Sequence, residues 1–205
     1  NVLKAIVSYY YDKKIWMMLE LCSGGALDFI MEKMKGLDER TIKAFTFQCL
    51  HGLEYLHSKL IIHRDIKAAN IMLTENGICK IADFGISAVL SKPDDRRNTF
   101  IGSTYWMAPE IFLTQTHTER NYDEKVDIFS LGITVIEAER GLPPDDDHPP
   151  AQVSIIRIKS PPPTFANPAQ WSIALNQFVA MTVQKNPESR PTATQCLDVF
   201  LILLL

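Results

Sequence analysis

The stretch His63-Arg64-Asp65-Ile66-Lys67-Ala68-Ala69-Asn70 concentrates one acid, two cations and one amide in eight residues, directly after the apolar pair Ile61-Ile62. A local cluster of this kind can bind a small anionic ligand on a chain of any net charge. It suits a reaction in which a protein orients reacting groups and spreads their charge. The segment is therefore the candidate catalytic centre of the chain.

Two further motifs follow this octet along the chain. Asp83-Phe84-Gly85 begins thirteen residues after Asn70, and Ala108-Pro109-Glu110 follows an intervening loop. HRDxKxxN, DFG and APE, in this order, resemble the protein kinases. The resemblance implies ATP and Mg²⁺ as cofactors. It also implies an α+β protein-kinase fold, mainly the helical large lobe with the last strands and hinge of a truncated small lobe.

The resemblance assigns a role to each polar residue of the centre. Asp65 is expected to accept a hydrogen bond from the substrate hydroxyl, orient it and take its proton late in the reaction. Lys67 would direct a cation at the transferred phosphoryl group. Asn70 and Asp83 would supply oxygen ligands to Mg²⁺, which bridges the nucleotide phosphates. In the alternative interpretation these residues form a solvated polar loop.

Two features narrow the substrate class and the group of kinases. Lys67 after Asp65 is the pattern of kinases that phosphorylate serine or threonine, so protein substrates with these acceptors are expected. The segment Gly102–Glu110 resembles GTPYWMAPE, a signature of the Sterile-20-like kinases. In it Ser103 replaces a threonine and Thr104 replaces a proline. The Ser103 hydroxyl is still expected to meet Asp65 and Lys67.

A further hydroxyl, on Thr99, lies where many of these relatives are phosphorylated for activation. A phosphate on Thr99 would bring two negative charges at most. Arg64, beside the catalytic aspartate, is expected to receive them as a charge-assisted hydrogen-bond donor. In the alternative interpretation Thr99 is an ordinary loop residue.

The nucleotide base is expected to bind at a hinge. Leu19–Asp28 resembles the hinge of the germinal-centre kinases, another name for this group. Backbone groups of Glu20 and Cys22 would bind adenine, and Asp28 would lie near the ribose. Met72 would form the floor of the adenine site.

Three other stretches resemble the branch that contains the Ste20-like kinase and the lymphocyte-oriented kinase. They are the long connection Ile111–Lys125, the segment Ser130–Thr134 and the pair Pro143-Pro144. Members of that branch can exchange activation segments in a homodimer. A homodimer formed through this segment is therefore a hypothesis for the present chain.

The remaining matches concern residues that support the catalytic loop. His63 and Phe84 resemble members of the packed column that couples the octet to the DFG motif. Asp127 resembles the buried acid that accepts hydrogen bonds from the backbone of the loop. Glu110 and Arg190 resemble the buried ion pair of the family.

The segments that must position these residues are mainly helical. Two β-rich pieces, Val2–Tyr11 and Ile15–Leu21, surround the turn Asp12-Lys13-Lys14 and predict a hairpin. Helical spacing and capping residues predict most of the other elements. Helices are predicted at Leu27–Met34, Val126–Glu137, Val153–Lys159 and about Ala169–Val183. A longer helix is predicted to begin at the N-cap Asp38 and to place Ile42, Phe45, Cys49, Leu53 and Leu56 on one face. A strand is predicted at Ile78–Ala82 and a loop at Ser91–Asn98.

Composition excludes some functions. The net charge of −3 argues against a general nucleic-acid surface. Cys22, Cys49, Cys79 and Cys196 match no zinc spacing, so reduced thiols and a cytoplasmic location are expected. The longest apolar run, Val199–Leu205, is far below the ~20 residues that span a bilayer, so no transmembrane segment and no signal peptide are predicted.

The resemblance begins late in the pattern of the family. No GxGxxG or VAIK-like segment occurs in these 205 residues. The predicted division is a partial kinase domain over 1–205, with 1–21 as the remnant of the small lobe and hinge entry and 22–205 as the large lobe. One hypothesis is an incomplete copy of an active Ser/Thr kinase. The alternative is a pseudokinase-like scaffold or interaction module without catalysis.

Overall fold

The computed structural model describes residues 1–115 and 121–203. Within them helices predominate, and most strands are short. The strands are β1 Ala5–Tyr11, β2 Lys14–Leu19, β3 Gly25–Ala26, β4 Ile61–Ile62, β5 Ile71–Leu73, β6 Cys79–Ile81 and β7 Ala88–Val89. The α-helices are α1 Leu27–Met34, α2 Glu39–Ser58, α3 Pro109–Leu113, α4 Lys125–Glu137, α5 Pro150–Lys159, α6 Ile173–Thr182 and α7 Ala193–Leu203.

The predicted hairpin is present and consists of β1 and β2, which pair antiparallel. Asp12 and Lys13 adopt φ angles of 49° and 58°, as the two central residues of a type I′ hairpin turn require. All residues of both strands are exposed. A parallel bridge between Val2 and Ile81 connects the hairpin to the helical part of the chain.

The core is organised around α4. Every residue from Val126 to Glu137 is buried, as the nearly continuous apolar sequence predicted. Helix α2 packs beside it, with the predicted residues on its inner face. The side chain of Asp38 accepts a 2.7 Å hydrogen bond from the Thr41 backbone N–H, which confirms the predicted N-cap of α2.

The predicted helix from about Ala169 is wrong at its start. A single 3₁₀ turn spans Pro168–Gln170, and α6 begins only at Ile173. Trp171 is extended instead, because its ring stacks on Phe165 at 5.0 Å and its indole N–H donates to Glu139. Ser172 then caps α6 by accepting a hydrogen bond from the Leu175 N–H.

Two other predicted segments are only partly covered by the described residues. Residues 116–120 of the connection Ile111–Lys125 lie outside them, as do residues 204–205 of the apolar run at the end of the chain.

Helix α5 is longer than predicted because Pro150 occupies its first turn, where a missing backbone N–H is tolerated. None of the described helices has the length and hydropathy needed to cross a membrane.

Candidate active site

Short strands bring the octet and the DFG motif together. Strand β4 ends directly before His63, and β5 starts directly after Asn70 and pairs with β6. Beyond this pairing, the Ala82 N–H donates a 2.9 Å hydrogen bond to the Asn70 carbonyl. Asp83, the next residue, is thereby held beside Asn70.

Asp65 lies at the centre of a network of donors. Its Oδ2 accepts a 2.8 Å hydrogen bond from Asn70 Nδ2 and lies 3.0 Å from Lys67 Nζ. Its Oδ1 accepts a hydrogen bond from the Ser103 backbone N–H at 3.2 Å. Burial acts to raise the pKa of Asp65, but the hydrogen bonds from Ser103, Lys67 and Asn70 outweigh it and lower the pKa. The carboxylate is therefore ionised and oriented at neutral pH.

The 103–107 loop, Ser103 to Met107, closes over this carboxylate. The Ser103 hydroxyl accepts a 2.6 Å hydrogen bond from Lys67 Nζ, so the predicted contact with Lys67 is confirmed. Gly102, just before the loop, has a φ angle of 126°, and a Cβ atom there would lie 2.7 Å from the Arg64 carbonyl. Glycine therefore permits the close approach of the loop to the octet.

The oxygen atoms of Asn70 and Asp83 form a donor set whose chemistry fits a divalent cation. The Asn70 side-chain nitrogen donates to both the Asp65 carbonyl and its carboxylate, so the amide oxygen is left for another ligand. Asp83 Oδ1 accepts a 3.1 Å hydrogen bond from the Gly85 N–H, and Oδ2 is left in the same way. Hard oxygen atoms of this kind suit Mg²⁺.

Asp127, at the start of α4, holds the octet from below. It is fully buried and accepts hydrogen bonds from the backbone N–H groups of His63 and Arg64 at 2.9 and 2.8 Å. His57 Nε2 also contacts it at 2.9 Å. The Phe84 ring meets His63 edge to face at 5.0 Å. Both predicted supports of the catalytic loop are thus confirmed.

Arg64 connects the octet to the segment that contains Thr99. Its Nε donates to the Ile86 carbonyl at 2.6 Å, and its guanidinium donates to the Tyr122 hydroxyl at 3.2 Å. That hydroxyl in turn donates to the Thr99 carbonyl at 2.9 Å. The sequence did not single out Tyr122, because only the fold brings it between the two predicted residues.

The predicted adenine-binding residues lie between β2 and β3 and on β5. The Glu20 side chain forms a 3.1 Å ion pair with Lys80, and the Cys22 carbonyl accepts a hydrogen bond from the Gly25 N–H. Met72 lies on β5 opposite Ala26, which belongs to the predicted hinge segment Leu19–Asp28.

Asp28 lies at the start of α1 and lines a groove of about 480 Å³. Ala69, Trp106 and Glu137 line the same groove. The predicted position near the ribose therefore borders the 103–107 loop as well.

Glu137, at the end of α4, is a further acid at the site that the prediction missed. Its Oε2 accepts hydrogen bonds from the Trp106 indole at 2.8 Å and from the Ala68 N–H at 3.3 Å. Burial raises the pKa of Glu137 to about 7. The available signal was its position, because Asp127 and Glu137 are the charged residues of the otherwise neutral run 126–137.

The raised pKa of Glu137 predicts a pH dependence of stability. The folded state binds a proton that the unfolded chain, with the ordinary value of 4.5, releases at lower pH. Proton binding by Glu137 therefore stabilises the folded state fully below pH 4.5, and this stabilisation is lost as the pH rises through about 7. Since one pKa unit corresponds to about 1.4 kcal/mol, the stability of the wild type relative to Glu137→Gln should fall by roughly 3 kcal/mol between these limits.

Urea denaturation of both proteins at pH 5 and pH 7.5 measures this difference. Glutamine keeps an oxygen acceptor for the Trp106 indole but does not titrate. An equal response of the two proteins to pH would show that Glu137 has an ordinary pKa.

A buried ion pair fixes the segment that follows the 103–107 loop. Nη1 and Nη2 of Arg190 donate to the Glu110 carboxylate, at 2.7 and 3.2 Å. Arg190 is 1% exposed, and its guanidinium lies 5.0 Å from the centre of the Phe129 ring. The predicted pair between Glu110 and Arg190 is confirmed.

Comparison with known proteins identifies the family of the chain. Residues 1–201 match the family profile described as protein kinase domain. The chain therefore belongs to the protein kinase family, and the α+β fold class expected from the motifs is confirmed.

Relatives place the chain more narrowly. Serine/threonine-protein kinase 10 of Xenopus tropicalis is 46% identical over 198 residues, which are 96% of this chain and 21% of that protein. The protein of the same name from Homo sapiens is 44% identical over 198 residues, again 96% of this chain and 20% of the relative. Serine/threonine-protein kinase cst-1 of Caenorhabditis elegans is 44% identical over 194 residues, 94% and 38% of the two chains. The resemblance to the Sterile-20-like kinases is confirmed, and the chain spans about a fifth to two fifths of these relatives.

Proposed function

We propose that the protein transfers the γ-phosphoryl group of ATP to serine or threonine hydroxyls of protein substrates. The observation that carries this proposal is the Asp65 carboxylate, ionised and fixed by Lys67, Asn70 and Ser103. A structural role alone would not require an acid and a cation to converge on one open position. Names of the relatives, which are serine/threonine-protein kinases, support the same reaction.

Each residue then has a defined task. Asp65 accepts a hydrogen bond from the acceptor hydroxyl, orients it and takes its proton as the new bond forms. Lys67, which already bridges Asp65 and Ser103, stabilises negative charge on the transferred group. Asn70 and Asp83 hold Mg²⁺, which when bound neutralises charge on the nucleotide phosphates. Glu20 and Cys22 bind adenine through the backbone, above Met72, and Asp28 borders the ribose.

Regulation at Thr99 follows from the contact with Arg64. The Thr99 side chain is exposed, and the Thr99 carbonyl is linked to the Arg64 guanidinium through the Tyr122 hydroxyl. A phosphate on Thr99 would compete for Arg64 as a stronger acceptor than the Tyr122 hydroxyl. Arg64 also precedes Asp65, so this event would be transmitted to the catalytic residue. A cytoplasmic location and a homodimer through the activation segment remain predictions.

A non-catalytic interaction module is the second candidate. It would bind a partner through apolar side chains such as Tyr10 and Ile15 of β1 and β2, which are exposed among the described residues. Both functions can be separated by one assay, because only the first requires the carboxylate of Asp83.

The test is phosphate transfer from radiolabelled ATP with Mg²⁺ to myelin basic protein, by the full-length gene product that contains these residues. We expect phosphoserine and phosphothreonine, and a loss of at least about a hundredfold in Asp83→Asn, because a neutral amide binds the cation more weakly. Asp12→Asn is the matched control, since asparagine is favoured at the positive φ of this turn. Absence of transfer by the unmodified protein would reject the kinase and leave the interaction module.

A further inference from the structure

Arg157, in the last turn of α5, is a buried cation that the reaction described above does not use. It is 3% exposed, although most arginines lie at the surface. Burial lowers the pKa of its guanidinium. Removal of such a group from water costs free energy that an apolar side chain of similar size would not incur. Its contacts should therefore explain what the arginine does.

The guanidinium joins two segments that are distant in sequence. Nη2 donates a 3.0 Å hydrogen bond to the backbone carbonyl of Tyr105, within the 103–107 loop. The same nitrogen lies 3.4 Å from Asp145 Oδ2, in the connection between α4 and α5. The face of the Phe129 ring is 5.9 Å away. Arg157 thus joins Tyr105 of the 103–107 loop to the connection before α5.

Tyr105 is held at both ends by this region. While its carbonyl accepts from Arg157, its hydroxyl donates to the His148 carbonyl at 2.9 Å. The His148 N–H donates in turn to the Asp145 carbonyl. Asp145 has a φ angle of 66°, a backbone conformation that is uncommon for residues other than glycine but is tolerated best by asparagine and aspartate. The connection before α5 is therefore shaped around Tyr105 and Arg157.

The start of the loop contacts the candidate catalytic residues. Ser103, two residues before Tyr105, binds Asp65 through its N–H and Lys67 through its hydroxyl. Between these anchors, the loop makes a single 3₁₀ turn, Thr104–Trp106. A shift of the Tyr105 carbonyl would therefore displace Ser103 relative to Asp65.

We infer that Arg157, with Asp145, is a positioning residue that holds the 103–107 loop, and with it Ser103, against Asp65, where the acceptor hydroxyl of the protein substrate would bind. Its role in substrate binding rests on the proposed phosphoryl transfer. It acts through the Tyr105 carbonyl and does not touch ATP or the acceptor hydroxyl. Loss of Arg157 should therefore weaken the use of the protein substrate and leave the use of ATP unchanged.

The test compares Arg157→Met, Arg157→Lys and Asp145→Asn in the full-length gene product. With myelin basic protein as acceptor, Arg157→Met should raise KM about tenfold, because a hydrogen bond from a charged donor is lost. The KM for ATP and the slow hydrolysis of ATP without acceptor should stay within about twofold. Arg157→Lys should recover part of the effect, and Asp145→Asn should shift KM in the same direction by a smaller factor. Lys159→Met removes an exposed cation from the same helix and is the matched control.

Hydrogen exchange provides a second measurement that does not depend on activity. The N–H groups of Trp106 and Met107 donate to the carbonyls of Ser103 and Thr104. Their exchange should accelerate about tenfold in Arg157→Met, while amides within α4 keep their wild-type rates. If the wild type transfers no phosphate, the proposed function fails and exchange alone decides the inference. Unchanged exchange in the loop, an unchanged KM for myelin basic protein, or a proportional loss with both substrates would overturn the role of Arg157.

Discussion

Replacement of Asp65 by asparagine is expected to lower the rate of phosphoryl transfer by about a thousandfold, as is typical for the loss of a positioned general base. Asparagine has nearly the same shape, but its amide nitrogen cannot accept a hydrogen bond. Asn70 and Ser103 donate to the two different oxygens of Asp65. One of these donors would therefore face another donor, and the orientation of the acceptor hydroxyl would be lost together with the base.

Single-turnover transfer to myelin basic protein at saturating ATP measures this effect. Asp94→Asn makes the same chemical change at an exposed position of the loop before Thr99 and should retain activity. Nucleotide affinity should change little in Asp65→Asn, because Asp83 and Asn70 keep their oxygen ligands. Transfer within tenfold of the wild type by a folded Asp65→Asn protein would contradict the role of Asp65.

Glu110→Gln is expected to destabilise the fold strongly. This substitution leaves the guanidinium of Arg190, which is 1% exposed, without its counter-charge. Breaking a buried ion pair by removal of one partner typically costs about 3–5 kcal/mol. We expect a decrease of about 3 kcal/mol in the free energy of unfolding, because the carbonyls of Gln184 and Lys125 still accept hydrogen bonds from Arg190.

Urea denaturation of Glu110→Gln and Lys43→Met tests whether burial is the cause. Lys43 forms a 2.7 Å ion pair with Glu39 one helical turn away, and both side chains are partly open to solvent. Its loss should cost only about 0.5 kcal/mol. Replacement of both partners, Glu110→Gln with Arg190→Met, should be less destabilising than Glu110→Gln alone, since no unpaired charge remains. Equal costs for the exposed and the buried pair would refute the argument.

Features that depend on local sequence were predicted well. The cap at Asp38 and the buried helix α4 follow from short-range patterns that the structure confirms, and the predicted turn Asp12-Lys13-Lys14 is confirmed except that Lys14 already belongs to β2. The position of the candidate site was also predictable, because a fixed spacing of residue types identifies the octet and the DFG motif. Their roles in catalysis stay predictions until the substitutions above are measured.

Contacts between distant segments were not predictable from the same patterns. Arg157 meets Tyr105 across 52 positions, and Tyr122 meets Arg64 across 58. Each depends on how helices and loops pack, and periodicity within one segment contains no information about that. The predicted start of α6 was wrong for the same reason, because the stacking of Trp171 on Phe165 replaces the helical turn that local sequence favours.

Helix α4 also fixes the distance between the two ends of the catalytic loop. Asp127 near its first turn binds the backbone at His63 and Arg64, and Glu137 at its last residue binds the backbone at Ala68. Ten residues of α-helix separate the two acids by about 15 Å. The octet is therefore hydrogen-bonded to the same helix at two positions that are a fixed distance apart. A single inserted residue would move one position by about 1.5 Å and rotate it by about 100°. Catalytic geometry in this protein therefore depends on the number of residues in α4 as much as on their identity.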